Sequence, residues 1–246
     1  MKSFFSVCVL LLSFTVSAET VTSFTDDTFE DLDWLGTIVT TSQGFLAGAP
    51  EFEAGQEVSG GNLGAFRKSR NFGGGVAFSI AVGHLKTTAT IDPTIDTIQS
   101  FDMFFDIIGL PQAGGTNGSS IYAPIIEQSG VYYGPSDIVF TTGTWSPAPF
   151  LNMAQDDLTN YGGGTMNPDF SPTGDIITFG YAVLTIDAAG GFDETTGLDN
   201  WAVDITTTPA PAIVPLPGAL WGMLAAMPLL VRANRSKNTF NHKPST

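Results

Sequence analysis

Residues 100–107, SFDMFFDI, have a large apolar side chain at every second position. These positions are Phe101, Met103, Phe105 and Ile107, and they alternate with Ser100, Asp102, Phe104 and Asp106. A period of two places these four side chains on one face of an extended chain and the aspartates on the other. The stretch therefore predicts a β-strand with one face in a core and one face in water.

Other segments show the same period. Clear strands are predicted at 76–83, 177–184 and 201–206, and weaker ones near 35–41, 64–70, 119–126, 130–133, 138–145 and 147–151. Glycine runs such as 73–75 and 162–164 separate them and allow the positive φ of tight turns. A short helical turn is predicted only at 156–161. Together these features predict an all-β fold, a jelly-roll-like β-sandwich over residues 19–208.

Composition limits the class of partner. The chain has 246 residues, of which 43% are hydrophobic, and its formal charge is −15. That apolar content is enough for the core of one domain or two. Residues 19–208 hold all 24 acidic residues and four basic ones, so this part carries a formal charge of −20. Such a domain repels phosphate backbones, which argues against nucleic acid as a partner.

Residues 1–18 have the features of a secretory signal peptide. Lys2 supplies the positive start, residues 4–16 are mostly apolar, and VSA at 16–18 is a small-residue cleavage site. Cleavage is expected before Glu19. Cys8, the one cysteine, is removed with the signal. The mature chain is therefore predicted to lack disulfides, thiolate metal sites and cysteine nucleophiles.

The C-terminal region predicts a membrane anchor. Residues 212–231, AIVPLPGALWGMLAAMPLLV, carry no charge. A helix of this length rises about 30 Å, the thickness of the hydrocarbon core of a bilayer. Arg232, Arg235 and Lys237 follow at once and give a stop-transfer pattern with the positive end inside. We predict a linker at 209–214, a transmembrane helix at 212–231 and a basic cytoplasmic tail at 232–246.

The order of these features resembles a family of sorting signals. Val214, Pro215, Leu216 and Pro217 precede the apolar helix and its basic cluster. This order resembles the PEP-CTERM class of bacterial tails, in its VPLPA-type variant. The resemblance implies export, tethering in the inner membrane and processing by an exosortase-type enzyme. It also implies a final location at the cell surface or in the extracellular matrix of a Gram-negative bacterium that makes exopolysaccharide.

Three short motifs of the predicted sandwich carry a second resemblance. They are FTDDTF at 24–29 followed by Trp34, GGNLGAFR at 60–67 and GLDNW at 197–201. These motifs resemble concanavalin-like or carbohydrate-module jelly rolls found ahead of such tails. The resemblance implies a fold more than an activity.

Catalytic candidates are few. His84 is the one histidine of the predicted sandwich and has no G-x-S-x-G motif beside it, so a packed or solvated side chain is favoured. Glycoside hydrolysis needs two carboxyl groups about 5–10 Å apart. Glu51, Glu53 and Glu127 are the candidates for such a pair. Chance supplies this spacing easily among so many acids, and we assign no catalytic residue.

A structural calcium ion is the one cofactor considered. Asp26, Asp27 and Glu30 crowd the N-terminal end of the sandwich, and Asp199 lies near its last strand. The first and last strands of a jelly roll tend to be neighbours, so these carboxylates are candidates for one shared ion. A solvated acidic surface is the alternative, because no D-x-D-x-D-G loop is present.

Sugar sites stack sugar rings on exposed aromatic side chains. The aromatic residues in or beside loops and weaker strands are Tyr122, Tyr132, Tyr133, Trp145 and Tyr161. We take Tyr132, Tyr133 and Trp145 as the candidate ligand-binding residues. Trp34 and Trp201 lie in alternating strands and are predicted to belong to the core.

One basic cluster stands out in the predicted sandwich, formed by Arg67, Lys68 and Arg70. It either neutralises neighbouring acids or meets an anionic polymer, and the first role is favoured.

The sequence thus predicts an exported, non-catalytic surface or matrix protein that binds exopolysaccharide. A secreted polysaccharide hydrolase or lyase is one alternative. A purely structural matrix component, whose acidic faces associate through cations, is the other.

Overall fold

The structure is a computed structural model that describes residues 18–41, 51–73, 78–111, 119–164, 166–187 and 192–209. These residues form thirteen strands: β1 (Thr20–Asp26), β2 (Trp34–Thr41), β3 (Glu51–Glu57), β4 (Phe66–Gly73), β5 (Phe78–Ile91), β6 (Asp96–Gly109), β7 (Ser119–Gln128), β8 (Val131–Pro135), β9 (Val139–Phe140), β10 (Ser146–Met153), β11 (Leu158–Asn160), β12 (Ile177–Asp187) and β13 (Phe192–Pro209). Helical structure in these ranges is limited to two 3-10 turns, Asp31–Asp33 and Gln155–Asp157. The prediction of an all-β fold is confirmed.

The strands form two antiparallel sheets. Sheet A has the strand order β10-β6-β13-β4-β3, with β1 paired to β13. Sheet B has the order β11-β8-β7-β12-β5-β2, with β9 paired to β7. The prediction of a β-sandwich is confirmed, and its assignment to the jelly-roll type stays a prediction.

The last strand, β13, pairs with three other strands of sheet A. The first part of β13 pairs with β4, where Leu198 lies opposite Arg67, and its second part pairs with β1, where Trp201 lies opposite Asp26. Its other edge pairs with β6 along most of its length. The first strand of the sandwich, β1, is therefore a neighbour of the last, as is expected of a jelly roll, although the sequence did not predict a strand at β1.

Apolar inner faces of the two sheets form the core. The four apolar side chains of residues 101–107 are at most 2% exposed. Opposite them stand Tyr122, Phe179, Tyr181 and Val183 of sheet B, in one continuous cluster. Burial of each such large side chain contributes roughly 1.5–3 kcal/mol, so this cluster is the main source of stability. The predicted core positions of Trp34 and Trp201 are confirmed, since their rings meet edge to face at 5.4 Å.

A buried ion pair joins the two sheets at the end of β1. Lys86 Nζ of β5 donates to Asp26 Oδ2 at 2.6 Å and to Asp33 Oδ2 at 2.9 Å. Trp34 Nε1 donates to the same Asp26 oxygen, and the Phe29 amide donates to its Oδ1. Lys86 and Asp26 are 7% and 5% exposed, so water does not screen this pair.

Some local predictions differ from the structure. The strand predicted near 138–145 is reduced to β9, and the turn predicted at 156–161 becomes the Gln155–Asp157 turn followed by β11. The sequence missed β1, since its residues are mostly polar and its one large aromatic, Phe24, is only half-buried.

The predicted signal peptide, except Ala18, lies outside the described residues, as do the sorting motif, the transmembrane helix and the basic tail. In the part of the chain that the structure describes, no helix has the length and apolar character needed to cross a membrane.

Candidate ligand-binding faces

A second apolar cluster lies on the outer face of sheet B. Strand pairing places Leu85 opposite Leu35 and Ala182 opposite Gly83, on the side of the sheet away from the core. Leu85, Ile125 and Ala182 are at most 4% exposed, although the sandwich core is on the other side of their strands. Partly buried Val39, Tyr132 and Tyr161 pack against them and cover them.

Convergence of side chains shows that this face is concave. A Cβ added at Gly83 on β5 would lie 3.8 Å from Cδ1 of Tyr132 on β8, and these strands are three positions apart in sheet B. In a flat sheet that separation would be about 14 Å, far beyond the reach of a tyrosine. A Cβ added at Gly83 would lie 2.9 Å from Val39 and 3.1 Å from Ile125. Small residues on the central strands thus let the outer strands curl toward each other.

Two tyrosines and one carboxylate share this face, which we call the tyrosine face (Thr37, Glu127, Tyr132 and Tyr161). Glu127 pairs with Tyr132 across β7 and β8. The Tyr161 amide donates to the Tyr132 carbonyl at 3.0 Å, which fixes the segment after β11 beside β8. The Tyr161 hydroxyl lies where a side chain at Gly134 would stand, so only glycine fits there.

Both tyrosine hydroxyls of this face are protonated at neutral pH, as tyrosines ordinarily are, and their surroundings raise the pKa of each further. Burial raises the pKa of Tyr161 to about 12. Burial and then the Glu127 charge raise the pKa of Tyr132, against a smaller opposite effect from Thr37. Protonated phenols donate hydrogen bonds and a carboxylate accepts them. The tyrosine face can therefore offer ring surface, donors and an acceptor to an uncharged, hydroxyl-rich ligand.

The three predicted ligand-binding residues are not brought together. Tyr132 lies on the tyrosine face, whereas its neighbour Tyr133 points into the core and is 5% exposed. Trp145 lies on the outer face of sheet A, against Phe66, with ring centroids 5.6 Å apart. Tyr133 therefore does not belong to the same face as Tyr132, because successive side chains of a strand face opposite ways, and the ligand-binding role of the three residues stays a prediction.

The four candidate calcium ligands do not converge either. All five hydrogen bonds to the Asp26 carboxylate come from protein donors, which include Lys86. Asp199 Oδ2 instead accepts from the amides of Asn62 and Leu63. Asp27 and Glu30 are exposed. Among the described residues, no three histidine, cysteine, aspartate or glutamate side chains form a group suited to a metal ion.

The candidate catalytic carboxylates stand on different sheets. Glu51 and Glu53 lie on β3 at the edge of sheet A, where Glu53 pairs with Arg70. Glu127 lies on the outer face of sheet B. The arrangement does not bring Glu127 together with either of the other two.

His84 is fully buried between the sheets. Its ring stacks on Tyr181 at 4.7 Å, and Ser69 Oγ lies 3.4 Å from its Nε2. Burial, and then the charge of Arg67, hold the pKa of His84 well below its usual value of 6.5. His84 is thus a neutral core residue, as the sequence favoured, and solvent does not reach it.

The basic cluster neutralises acids, as predicted. Lys68 pairs with Glu57, and Arg70 binds Asp193 through two nitrogens at 2.7 and 2.8 Å. Arg67 is 3% exposed and reaches Asp31 at 3.3 Å from under the Trp34 ring.

Two cavities lie near the β8 end of sheet B. One, of about 480 Å³, is lined by acids and small polar groups, including Asp137, Asn152 and Asp156. The other, of about 260 Å³, contains Tyr133 as its one aromatic lining residue. Neither combines exposed ring surface with hydrogen-bonding groups as the tyrosine face does.

Sequence reasoning missed Thr37, Val39 and Leu85 as parts of a binding face. Their strands alternate in the expected way, but both faces of sheet B carry apolar residues. The one signal in the sequence was Tyr161, which follows a weakly apolar segment and precedes a glycine run.

A scan against protein-family models and a search of curated proteins both return no match. Solved structures similar to the chain include a family 11 carbohydrate-binding module from Clostridium thermocellum in complex with a β-1,3-1,4-mixed-linked tetrasaccharide. It has a TM-score of 0.42 and 9% identity over 77% of this chain and 96% of that chain. A xylan-binding domain from Paenibacillus barcinonensis has a TM-score of 0.36 and 10% identity over 80% of this chain and 100% of that one. At these levels of similarity, no ligand or activity is transferred to this chain.

Proposed function

We propose that this chain is an exported, non-catalytic protein that binds a polysaccharide on its tyrosine face. The observation that carries the proposal is the convergence of Tyr132, Tyr161 and Glu127 on one concave sheet face. Ring surfaces favour the apolar faces of sugar rings, and the adjacent hydroxyls and carboxylate suit sugar hydroxyl groups. A curved sheet face also suits a chain-like ligand that lies across several strands.

The negative charge of the domain indicates which class of polysaccharide it binds. The domain carries a formal charge of −20 between residues 19 and 208, and Glu127 stands on the binding face itself. An anionic polymer is repelled by such a surface unless cations bridge the two. The proposed ligand is therefore a neutral glycan, and added salt should weaken its binding little.

Binding is tested with the full-length protein, mixed-linkage β-glucan as a neutral probe and alginate as an anionic one. The mixtures are run on a size-exclusion column, and both the polymer length and the protein position are followed. We expect intact β-glucan with the protein moving beside it, and no movement with alginate at low salt. Shortened polymer would instead support the hydrolase or lyase alternative, and unbound protein with every neutral glycan would contradict the proposal.

Variants assign the binding to the tyrosine face. We expect Tyr132→Ala and Tyr161→Ala each to weaken β-glucan binding about 10-fold, or about 1.4 kcal/mol, which is typical of a buried aromatic contact. Leu32→Ala removes a side chain that is 96% exposed outside this face and serves as the control. Equal affinity in all three variants would place the binding elsewhere.

We further propose that residues 1–18 direct export and that residues 212–231 anchor the protein in the inner membrane before exosortase-type processing. The signal sequence, the motif at Val214–Pro217 and the basic residues after residue 231 support this. N-terminal sequencing of the exported protein should begin at Glu19. Deletion of residues 210–246 should move the protein from the membrane fraction to the soluble one. A chain that keeps Met1 and stays in the cytoplasm would contradict both steps.

A further inference from the structure

Trp145 is the centre of a separate aromatic cluster on sheet A. Gly197 and Ile108 form a strand pair whose side chains point away from the core. A Cβ added at Gly197 would lie 2.9 Å from Phe66 and 3.0 Å from Ile108, so these two side chains cover the glycine on the outer face. The Trp145 ring meets Phe66 edge to face, and its Nε1 lies 3.4 Å from the Gly60 carbonyl. The half-buried indole is thereby held in one position with part of its surface in water.

Three polar side chains form a cluster on the same outer face of sheet A. Asp106 Oδ2 accepts from Asn62 Nδ2 at 2.8 Å and from Asn200 Nδ2 at 2.7 Å. Asp106 lies two residues before Ile108 on the same outer face of β6, so the amide cluster adjoins the aromatic one. The loop that carries Gly60 and Asn62 connects them.

Buried Asp199 fixes that loop. Its Oδ2 accepts from the Asn62 amide at 2.5 Å and from the Leu63 amide at 3.3 Å, and the Gly61 amide donates to the Gly64 carbonyl at 2.9 Å. A Cβ at Gly61 would lie 2.6 Å from the same Asp199 oxygen, so the loop needs glycine to lie this close. A preorganised loop loses little conformational entropy when a ligand binds.

We propose that this surface, which we call the tryptophan face (Asn62, Asp106, Trp145 and Asn200), is a second glycan-binding site. It presents ring surface beside a carboxylate and two carboxamides. Asp106 Oδ1 and the two amide oxygens accept no hydrogen bond from any described residue, and sugar hydroxyls are donors that suit them. The inference rests on the proposed function, because it takes the same class of neutral glycan as its ligand.

The two proposed glycan-binding faces lie on opposite sides of the sandwich. The sheets pack through their inner faces, about 10 Å apart, so their outer faces point in opposite directions. The tyrosine face is on sheet B and the tryptophan face is on sheet A. Two stiff glycan chains can each bind one face of the same molecule. The protein therefore acts as a cross-link between polysaccharide chains, and multivalent binding strengthens the network without new contacts.

Stoichiometry tests the second site directly. Full-length protein is titrated calorimetrically with a mixed-linkage β-glucan hexasaccharide, too short to reach both faces. We expect two sites per chain in the wild type and one each in Trp145→Ala and Tyr132→Ala. Trp145→Phe keeps a ring on Phe66 and should restore the second site, which separates loss of ligand contact from loss of fold. The inference is overturned if the wild type shows only one site and Trp145→Ala still shows that site.

Cross-linking is then followed by light scattering of the long polymer at increasing protein concentration. Wild-type protein should raise the scattering to a maximum and lower it again in excess, since excess protein leaves each molecule with one bound chain. Both single variants should bind without any rise. Binding by the wild type with no rise in scattering contradicts the cross-link alone. Absence of binding contradicts the proposed function and the cross-link together.

Discussion

The ring of Tyr132, on β8, lies over Gly83, on β5, where an added Cβ would be 3.8 Å from its Cδ1. These strands are three positions apart in sheet B, so the sheet must curve to bring the two residues together. The same Cβ would lie 3.1 Å from Ile125, which places the tyrosine ring along the bottom of the concave face. Tyr132 therefore lies where the sheet curves and where we propose that a ligand binds.

Packing of the Tyr132 ring should contribute measurably to stability. The ring covers the cluster of Leu85, Ile125 and Ala182 on the outer face of sheet B. We expect Tyr132→Ala to lower the free energy of unfolding by about 2 kcal/mol, because the half-buried ring is lost and the cluster beneath it is exposed. Tyr132→Phe keeps the ring and is the matched control, with an expected change of about 0.5 kcal/mol or less. Equal losses in urea denaturation would show that the ring does not pack on this cluster.

Removal of Lys86 should be strongly destabilising. Lys86→Met leaves the buried carboxylate of Asp26 without its cation, and loss of one partner from a buried pair costs about 3–5 kcal/mol. Lys68→Met is the matched control, because the Lys68–Glu57 pair is about 40% exposed on both sides and such pairs contribute little. Urea denaturation of both variants measures the difference. Similar losses in the two would argue that the Asp26–Lys86 pair is not buried in solution.

Acid should weaken the fold in two separate pH windows. Although burial alone would raise it, hydrogen bonds from Lys86, Phe29, Thr28 and Trp34 lower the pKa of Asp26 from 3.8 to about 2. The charged form thus stabilises the fold above pH 3.8, and about 2 kcal/mol is lost as the pH falls toward 2. His84 lowers the stability at a higher pH than Asp26 does. Its folded-state pKa is well below 6.5, so as the pH falls the unfolded chain binds a proton on this histidine before the folded protein does.

Stability should therefore begin to fall below about pH 6.5, with a slope of up to about 1.4 kcal/mol per pH unit. A series of urea midpoints between pH 8 and pH 2 follows both windows. His84→Gln should flatten the region from pH 6.5 to pH 4 and leave the lower window in place. An unchanged slope in that variant would mean that His84 is solvated in the folded protein.

Gly180 should tolerate no side chain. A Cβ there would overlap the His84 carbonyl oxygen and lie 2.8 Å from the Leu85 Cα, at the irregular pairing of β12 with β5. Backbone atoms in a central strand pair shift little, so we expect Gly180→Ala to cost about 3 kcal/mol or more. Gly143→Ala is the control, because nothing lies within 4 Å of its added Cβ. Equal urea midpoints for the two variants would contradict the close approach of these strands.

Local periodicity predicted the strands with the clearest patterns. Alternation alone identified β6. Two aspartates mark one face of the strand as solvent-exposed, so the opposite face, with Phe101, Met103, Phe105 and Ile107, is the one that can be buried. The same reasoning identified the second half of β13 and the core positions of Trp34 and Trp201. It failed for β1, whose place in sheet A depends on pairing with β13, where the paired residues run from Trp201, 175 residues after Asp26, to Thr207, 187 residues after Thr20.

The amino-acid sequence was enough to predict the all-β class, the acidic charge and the strands in which one face is polar. It could not predict which of the neighbours Tyr132 and Tyr133 faces the core, because either side of the strand could be covered until the second sheet packs on one of them. The tertiary structure also decided that Asp26 binds Lys86, and that Trp145 meets Phe66 and the Gly60 loop. The physical reason is that alternation is a property of neighbours along the chain. Burial, ion pairing and curvature depend on strands that meet only after folding.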